Sequence, residues 1–309
     1  MQAVDTVIRL SLHSEVALIN TISEHIIGGG GKRLRPALVI LSSGLFQPIT
    51  SQHYELAAIV EFIHTATLLH DDVVDESAMR RGKSTANHLF GNAASVLVGD
   101  FLYSRAFQMM VKLQNMRVMD ILSQATNIIS EGEVLQLMNI HNADVTEQEY
   151  LKIIHFKTAK LFEAATRLGA VISGATVADE TALAIYGMRL GTAFQLIDDV
   201  LDLSGDANQI GKNLGDDLAE GKPTLPLLIA MHRGAPADAA TIRKAIQQGG
   251  PSELPAVLAA VNATHALQYV RDLAANEAKI GCEAIAHLPD SANKQALIEL
   301  AEFAVKRDF

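Results

Sequence analysis

Two clusters of aspartates combine residue types and spacings that could do chemistry. The first reads Asp-Asp-Val-Val-Asp over residues 71–75, and the second reads Asp-Asp-Val-Leu-Asp over residues 198–202. Both follow an apolar run, and aspartates four positions apart on a helix share one face, where like charges repel. Carboxylate oxygens suit Mg²⁺, which offsets that repulsion and shares itself with substrate phosphates. The clusters therefore predict magnesium sites, with solvated acids at helix ends as the plainer alternative.

The helix that leads into the first cluster adds a histidine to the same face. At about 100° per residue, His64, Asp71 and Asp75 fall on one stripe. Asp72 is turned by one step, from which it could reach the same metals from the side. This stripe predicts that the helix carries both metal ligands and a neighbouring polar group.

Two basic segments could bind anions beside these acids. Arg80 and Arg81 follow the first cluster, and arginine pairs bidentately with phosphate oxygens. The glycine run 28–31, followed by Lys32 and Arg35, allows backbone N–H groups to approach a ligand closely. A charge-balancing surface loop and a flexible linker are the alternatives. Metals on one side and guanidiniums on the other would clamp a diphosphate.

Lysines and hydroxyls accompany the second cluster. Lys212 lies downstream of it, and Lys157 with Thr158 forms a charge and hydroxyl pair within a predicted helix. Taken alone, Lys157 has the plainer interpretation of a surface lysine. No Ser-His-Asp or Cys-His nucleophile set is evident. The chemistry would then be electrostatic stabilisation of a departing diphosphate.

Composition limits the class of protein that positions these residues. The chain has 309 residues, of which 49% are hydrophobic, and a net charge of −10 that argues against a nucleic-acid partner. One cysteine, Cys282, excludes an internal disulfide and fits a reducing compartment. We expect no signal peptide and no transmembrane segment. Helical periodicity, interrupted by glycines and prolines, predicts a single all-α domain over residues 1–309 with roughly ten or more helices.

Several motifs in order resemble the trans-isoprenyl diphosphate synthase family. They are GGKRLRP at 30–36, the first cluster with its following Arg-Arg-Gly at 71–82, Lys157-Thr158, and FQxxDDxxD at 194–202. The resemblance runs from about residue 5 to the last residue, and within the family it is greatest to bacterial octaprenyl diphosphate synthases. It implies a helical bundle around a central cavity, the isoprenoid synthase fold, with Mg²⁺ as cofactor. It also implies a homodimer and a cytoplasmic location.

The resemblance further implies roles for individual residues. Metal ligands would be Asp71, Asp75, Asp198, Asp199 and Asp202, with Asp198 the most direct of the second set. Catalytic residues would be Asp71, Asp72, Asp75, Asp198, Asp199 and Lys157. Contacts to the allylic diphosphate would come from Arg80, Lys157, Thr158, Gln195 and Lys212. Contacts to isopentenyl diphosphate would come from Lys32, Arg35, His64 and Arg81.

The implied reaction is head-to-tail condensation of isopentenyl diphosphate onto an allylic diphosphate. Small residues at Ala66 and Thr67, where short-product synthases carry bulky aromatics, favour a long product. We expect octaprenyl diphosphate, C40, made from farnesyl diphosphate, and a use in quinone side chains such as that of ubiquinone. Alternatives are a farnesyl or geranylgeranyl diphosphate synthase, a class I terpene cyclase, and a non-catalytic helical partner subunit.

Overall fold

The computed structural model describes residues 1–28, 31–204, 214–249 and 251–307. Its regular structure is almost entirely helical, so the all-α prediction is confirmed. The helices are α1 Gln2–Ser11, α2 Ala17–Gly28, α3 Leu34–Ser43, α4 Ser51–Val74, α5 Ala86–Phe90, α6 Asn92–Lys112, α7 Met116–Asn139, α8 Glu147–Ile154, α9 Lys160–Ile172, α10 Val177–Ser204, α11 Asp216–Ala219, α12 Leu225–Arg233, α13 Pro236–Gln248, α14 Leu254–Ala263, α15 Ala266–Ala284 and α16 Ala292–Lys306.

Three short elements interrupt the α-helices. A hairpin pairs β1, Met79–Arg80, with β2, Lys83–Ser84, in antiparallel register. A π-helical turn, His155–Ala159, joins α8 directly to α9. A 3₁₀ turn covers Pro251–Glu253. The hairpin and the π turn both contain residues that the sequence motifs single out.

The chain divides into two compact units. The first unit comprises residues 1–126, 161–184 and 287–297, and the second unit comprises residues 127–160, 185–286 and 298–309. The prediction of a single domain over residues 1–309 stays a prediction. No helix in the described part of the chain is both long and apolar enough to cross a membrane.

Helix α4 is the central helix of the first unit, and it packs against α1, α3, α5 and α6. Every residue from Leu56 to Ile63 is buried, as expected for a helix that is hydrophobic nearly all round. From His64 onward one face is partly exposed, through Thr67 and Leu68 to Asp71. These four positions follow the i, i+3, i+4, i+7 rule and so lie on one face of the helix. The helix is therefore buried on all sides before His64 and exposes one face from His64 to the first aspartate cluster.

Helix α12 has the corresponding role in the second unit, where it contacts α8, α13, α14 and α15. Residues 225–230 are all buried. Pro226 lies in its first turn, where the missing N–H costs nothing. The loop before it, residues 220–224, begins just after α11, and α11 follows the second aspartate cluster.

Candidate active site

The first aspartate cluster ends α4, and its three carboxylates face different surroundings. Asp71 and Asp75 are partly exposed, and the backbone N–H of Asp75 donates to the Asp71 carbonyl at 2.8 Å, which closes the helix. Asp72 is only 2% exposed and accepts a hydrogen bond from Nε of Arg80 at 2.7 Å. Asn87 donates to the Asp72 carbonyl at 2.9 Å. The i, i+4 pair is therefore the accessible one.

The β1–β2 hairpin explains why Arg80 reaches Asp72. Arg81 and Gly82 form its two-residue turn with φ of 54° and 71°, a type I′ geometry that matches strand twist. Arg81 is exposed, and a β-carbon on Gly31 would lie 2.5 Å from its Nη1, so glycine permits this approach. Burial raises the pKa of Asp72, and the ion pair with Arg80 lowers it by less.

The basic side chains of residues 31–36 have different roles. Arg33 forms an ion pair within the fold, whereas Lys32 and Arg35 belong to the candidate site. Arg33 has a left-handed backbone, φ 48°, and its Nη1 donates to the buried carboxylate of Glu61 on α4. Lys32 is exposed, and the guanidinium of Arg35 lies over the ring of Phe162, with Cζ 4.4 Å from its centroid. Gly29 and Gly30 of the motif lie outside the described residues.

Arg35 also contacts His64, which sequence analysis grouped with it. Its Nη1 lies 3.1 Å from Nε2 of His64. A guanidinium only donates, so Nε2 accepts and the ring proton is on Nδ1. Burial lowers the pKa of His64 well below its ordinary value, and the charges of Arg35, Arg81, Arg80 and Arg33 lower it further. Of these four guanidiniums, Arg33 is paired with Glu61 and Arg80 with Asp72, so the positive charge beside the neutral His64 is partly balanced by the protein's own acids.

In the second unit, Asp198 pairs with an arginine that sequence analysis missed. Nη2 of Arg307 donates to Oδ1 of Asp198 at 2.5 Å and to the carbonyl of Phe194 at 2.7 Å. Its guanidinium also lies over the Phe194 ring, 3.8 Å from the centroid. The Arg307 side chain is 4% exposed and that of Asp198 is 40% exposed. One carboxylate oxygen of Asp198 is thus held by the chain while the residue stays accessible.

Asp199 is buried at 2% exposure, and each of its oxygens accepts a hydrogen bond. The hydroxyl of Tyr150 donates to Oδ2 at 2.5 Å, and Nε2 of Gln195 donates to Oδ1 at 2.8 Å. Burial, followed by the nearby carboxylate of Asp217, raises the pKa of Asp199 to about 8, against the smaller opposite effect of the two donors. Each oxygen accepts one hydrogen bond and has a second lone pair, so the metal-ligand role predicted for Asp199 stays a prediction.

Asp202 contacts two described residues of the later segment, Gly215 and Asp217. Its carbonyl accepts from the backbone N–H of Gly215 at 2.8 Å, and its Oδ1 lies 3.5 Å from the backbone nitrogen of Asp217. Lys212, predicted to contact a diphosphate, lies outside the described residues.

Lys157 and Thr158 lie in the π turn rather than in a regular helix. Nζ of Lys157 donates to Oε2 of Glu133 on α7 at 2.7 Å, and the Thr158 hydroxyl donates to Oε1 of Gln195 at 3.1 Å. π turns occur often at functional sites, because the extra residue re-aims the side chains within it. Lys157, Thr158 and Gln195, predicted to bind one ligand, are therefore set by the same local structure.

Sequence reasoning missed Tyr150, Arg307 and Glu133. Glu133 lies in the segment EGEVLQLMN, residues 131–139, and its partner is 24 positions away. Tyr150 and Arg307 precede and follow their aspartates by 49 and 109 positions. Helical periodicity relates residues a few positions apart, so no periodic signal could have paired them.

The acids suit a magnesium ion that is shared with a substrate. Among the residues that the structure describes, no group of three His, Cys, Asp or Glu side chains could hold a metal. Mg²⁺ usually keeps several waters and binds through one or two carboxylates plus substrate phosphates. The accessible pair Asp71 and Asp75, and Asp198 in the second unit, fit that donor set.

Comparison with known proteins agrees with the fold and these motifs. The Polyprenyl synthetase family profile matches residues 16–263. The octaprenyl diphosphate synthase of Escherichia coli K12 is 54% identical, covering 100% of this chain and 96% of that protein. The all-trans-nonaprenyl-diphosphate synthase (geranyl-diphosphate specific) of Rhodobacter capsulatus is 45% identical, covering 99% and 94%. A crystal structure of a Caulobacter crescentus polyprenyl synthase, complexed with calcium and isoprenyl diphosphate, is 46% identical with a TM-score of 0.97, covering 100% and 95%.

The family match and the octaprenyl diphosphate synthase relative show that this all-α chain with two aspartate motifs is a prenyltransferase. The expected resemblance is confirmed at the level of the whole chain. This chain belongs to the polyprenyl synthetase family.

Proposed function

We propose that this protein is a long-chain trans-polyprenyl diphosphate synthase that makes octaprenyl diphosphate from isopentenyl diphosphate and an allylic primer, farnesyl diphosphate. The observation that supports the product most strongly is the 54% identity, over the full chain, to the octaprenyl diphosphate synthase of Escherichia coli. The nonaprenyl synthase, at 45% identity, is less similar. Product length is therefore the part of the proposal that an experiment has to decide.

The allylic diphosphate would bind where carboxylates and basic groups are both available. Asp71, Asp75, Asp198 and Asp202 would hold Mg²⁺, which supplies neutralisation of the negative charge that develops on the departing diphosphate. Asp199 would also be a ligand, through the lone pairs that its two hydrogen-bond donors leave. Among the basic and polar groups, Lys157, Thr158, Gln195, Arg80 and Lys212 would bind the diphosphate oxygens.

Isopentenyl diphosphate would bind at the basic groups of the first unit. Arg35, held between the Phe162 ring and His64, offers a guanidinium with restricted motion. Exposed Lys32 and Arg81 would close on the same anion. The low pKa of His64 keeps it a neutral hydrogen-bonding group rather than a fifth positive charge.

The released diphosphate would take the proton that the cation formed by condensation has to lose to become the allylic product. This route fits the side chains present, because the histidine nearest the basic cluster accepts at Nε2 from an arginine and is therefore occupied. The side chains of the protein would then bind and orient the two substrates and neutralise the charge of their diphosphates. None of them has to act as a base.

We also propose a homodimer formed through α6. This helix exposes Leu97 at 67%, Phe107 at 37% and Val111 at 63%, which fall on one stripe at helical spacing. An exposed apolar stripe marks an association surface, and an isologous contact between two copies is the commonest arrangement. A cytoplasmic location and a role in quinone side-chain synthesis are proposed from the family alone.

Incubation of the purified chain with labelled isopentenyl diphosphate, farnesyl diphosphate and Mg²⁺ tests the function. We expect C40 to dominate after product analysis. A dominant C15 or C20 product would contradict the long-chain proposal. Turnover without isopentenyl diphosphate would indicate a cyclase instead, and inactivity of the chain alone would favour a non-catalytic subunit. Asp71→Asn combined with Asp75→Asn is the matched inactive control.

A further inference from the structure

A chain of side-chain hydrogen bonds joins α8, the π turn and α10. It runs from the Tyr150 hydroxyl to Oδ2 of Asp199 at 2.5 Å, from Nε2 of Gln195 to Oδ1 of Asp199 at 2.8 Å, and from the Thr158 hydroxyl to Oε1 of Gln195 at 3.1 Å. All four residues belong to the second unit. Every link has a donor and an acceptor of the correct kind.

The hydrogen-bond network attaches the segment 150–158 to α10 at two points. Gln195 and Asp199 are four positions apart on α10 and share one of its faces. Tyr150 and Thr158 are the first and last residues of the segment 150–158. Both ends of that segment are therefore attached to one short stretch of α10, and Lys157 lies between the attachment points.

Burial makes the Tyr150 contact costly to lose. Tyr150 is 5% exposed and Asp199 is 2% exposed, so an unmet polar atom at either position would have no water to replace its partner. An apolar ring would fill the space as well as a tyrosine, so packing alone gives no reason for the hydroxyl. Its partner in the network is the carboxylate that also orients Gln195.

We propose that Tyr150 is a positioning residue for the allylic diphosphate. It holds Asp199, and through Asp199 and Gln195 it fixes Thr158 and the π turn that presents Lys157. Tyr150 itself touches no substrate. The inference rests on the proposed function for the identity of the ligand, and it goes beyond it by assigning a residue outside the aspartate, lysine and glutamine motifs.

Tyr150→Phe tests this assignment, since it keeps the ring and removes only the hydroxyl. We expect KM for farnesyl diphosphate to rise about tenfold and kcat to fall by a similar factor, as for loss of a hydrogen bond that leaves a buried acceptor unsatisfied. KM for isopentenyl diphosphate should stay within about twofold, because the hydrogen bonds of this network, as the described residues show them, join residues of the second unit. A purely structural defect would lower the active fraction without separating the two KM values.

Tyr269→Phe is the matched control. The Tyr269 hydroxyl also donates to a carboxylate of the second unit, Glu147, at 3.1 and 3.3 Å, but neither residue belongs to the aspartate network. We expect unchanged kinetic constants in this variant. Equal behaviour of Tyr150→Phe and Tyr269→Phe would overturn the proposal.

Thr158→Val keeps the proposal testable if Tyr150→Phe folds poorly, because it breaks the opposite end of the network. The same separation of KM values is expected, and the double variant should lose less than the product of the two single effects. Fully multiplicative losses would overturn the proposal. Thermal stabilisation by farnesyl diphosphate with Mg²⁺ gives a readout besides activity, which Tyr150→Phe should weaken. If the wild type binds this ligand but never condenses it, the proposed function fails while the positioning role is still measured.

Discussion

A β-carbon on Gly132 would lie 2.6 Å from the backbone nitrogen of Lys157. Real β-carbons do not approach backbone so closely, so the absence of a side chain lets α7 pack directly against the π turn. The next residue, Glu133, accepts a hydrogen bond from the ammonium group of Lys157. Glycine in the EGE segment therefore determines how close the lysine and its carboxylate partner can be.

Gly132→Ala should consequently displace the π turn. We expect a loss of about 1–3 kcal/mol in the free energy of unfolding, as for other overpacked sites, together with a rise in KM for the allylic substrate. Denaturant unfolding and steady-state kinetics measure the two effects. Gly28→Ala is the stability control, because its β-carbon would meet nothing within 4 Å. Equal stability of both variants would show that α7 can move away at no cost.

Arg307 should stabilise the fold through its contact with Asp198. Arg307 is buried but Asp198 is 40% exposed, so solvent partly screens the charge that is left behind, and Arg307→Ala should cost about 1–2 kcal/mol of unfolding free energy. Lys306→Ala is the neighbouring control, since Lys306 forms an exposed pair with Glu302 and its loss should cost under about 1 kcal/mol. Similar midpoints in urea for the two variants would contradict the structural role of Arg307.

His53 should make the protein sensitive to acid. Its Nδ1 accepts from the backbone N–H of Thr50 at 2.9 Å, and burial lowers its pKa below 6.5. The unfolded chain therefore takes up this proton first, and the stability that His53 contributes is lost as pH falls from 6.5 toward the lower pKa of the folded state. Melting temperatures between about pH 7.5 and about pH 5 should fall less steeply for His53→Gln. The same change at exposed His88 should leave the slope as in the wild type, and parallel curves for all three proteins would refute the prediction.

Product length should respond to bulk one turn before Asp71. Thr67 is partly exposed on the face that leads to Asp71, so Thr67→Phe should shorten the product while the fold is kept. Ala66 is 0% exposed, so Ala66→Phe should shorten the product and also lose about 1–3 kcal/mol to overpacking. Chain-length analysis of the labelled products measures this. Unchanged C40 product from both active variants would exclude these positions from the channel wall.

The proposed dimer depends on the stripe of α6. Leu97→Arg places a charge within it and should yield monomers by light scattering, because an unpaired charge in an apolar interface is costly. Val177→Arg is the control, since Val177 is 72% exposed in the first unit but outside α6. A monomeric wild type would refute the dimer proposal.

Local sequence patterns predicted the parts of the site that depend on short distances along the chain. The stripe of His64, Asp71 and Asp75 follows from helical geometry: α4 contains His64 and Asp71, and Asp75 is its C-cap. The link between Arg80 and Asp72 spans only eight positions, but it requires the Arg81–Gly82 turn, which no Asn-Gly or Asp-Gly signal announces. Motif spacing indicated that two basic regions exist.

Residues that are paired across long separations could not be predicted in the same way. Arg33 lies in a basic motif, yet its charge is used by buried Glu61 rather than by the candidate site. Asp199 lies in an aspartate motif, yet it is buried and accepts hydrogen bonds from Tyr150 and Gln195. Only packing distinguishes an acid that faces solvent from a neighbouring acid that the protein holds.

The π turn also changes how the sequence around it has to be read. A π turn contains one residue more than a regular helix would use, which shifts the phase of everything after it by about 100°. Leu151 and Thr158, seven positions apart, would lie on one face of an unbroken helix. The extra residue in the π turn places them on different faces. Deleting a single residue from 155–159 would restore the regular repeat and rotate the whole of α9 about its axis. Alignments and designs that treat residues 147–172 as one uniform helix would therefore assign the wrong face to half of it.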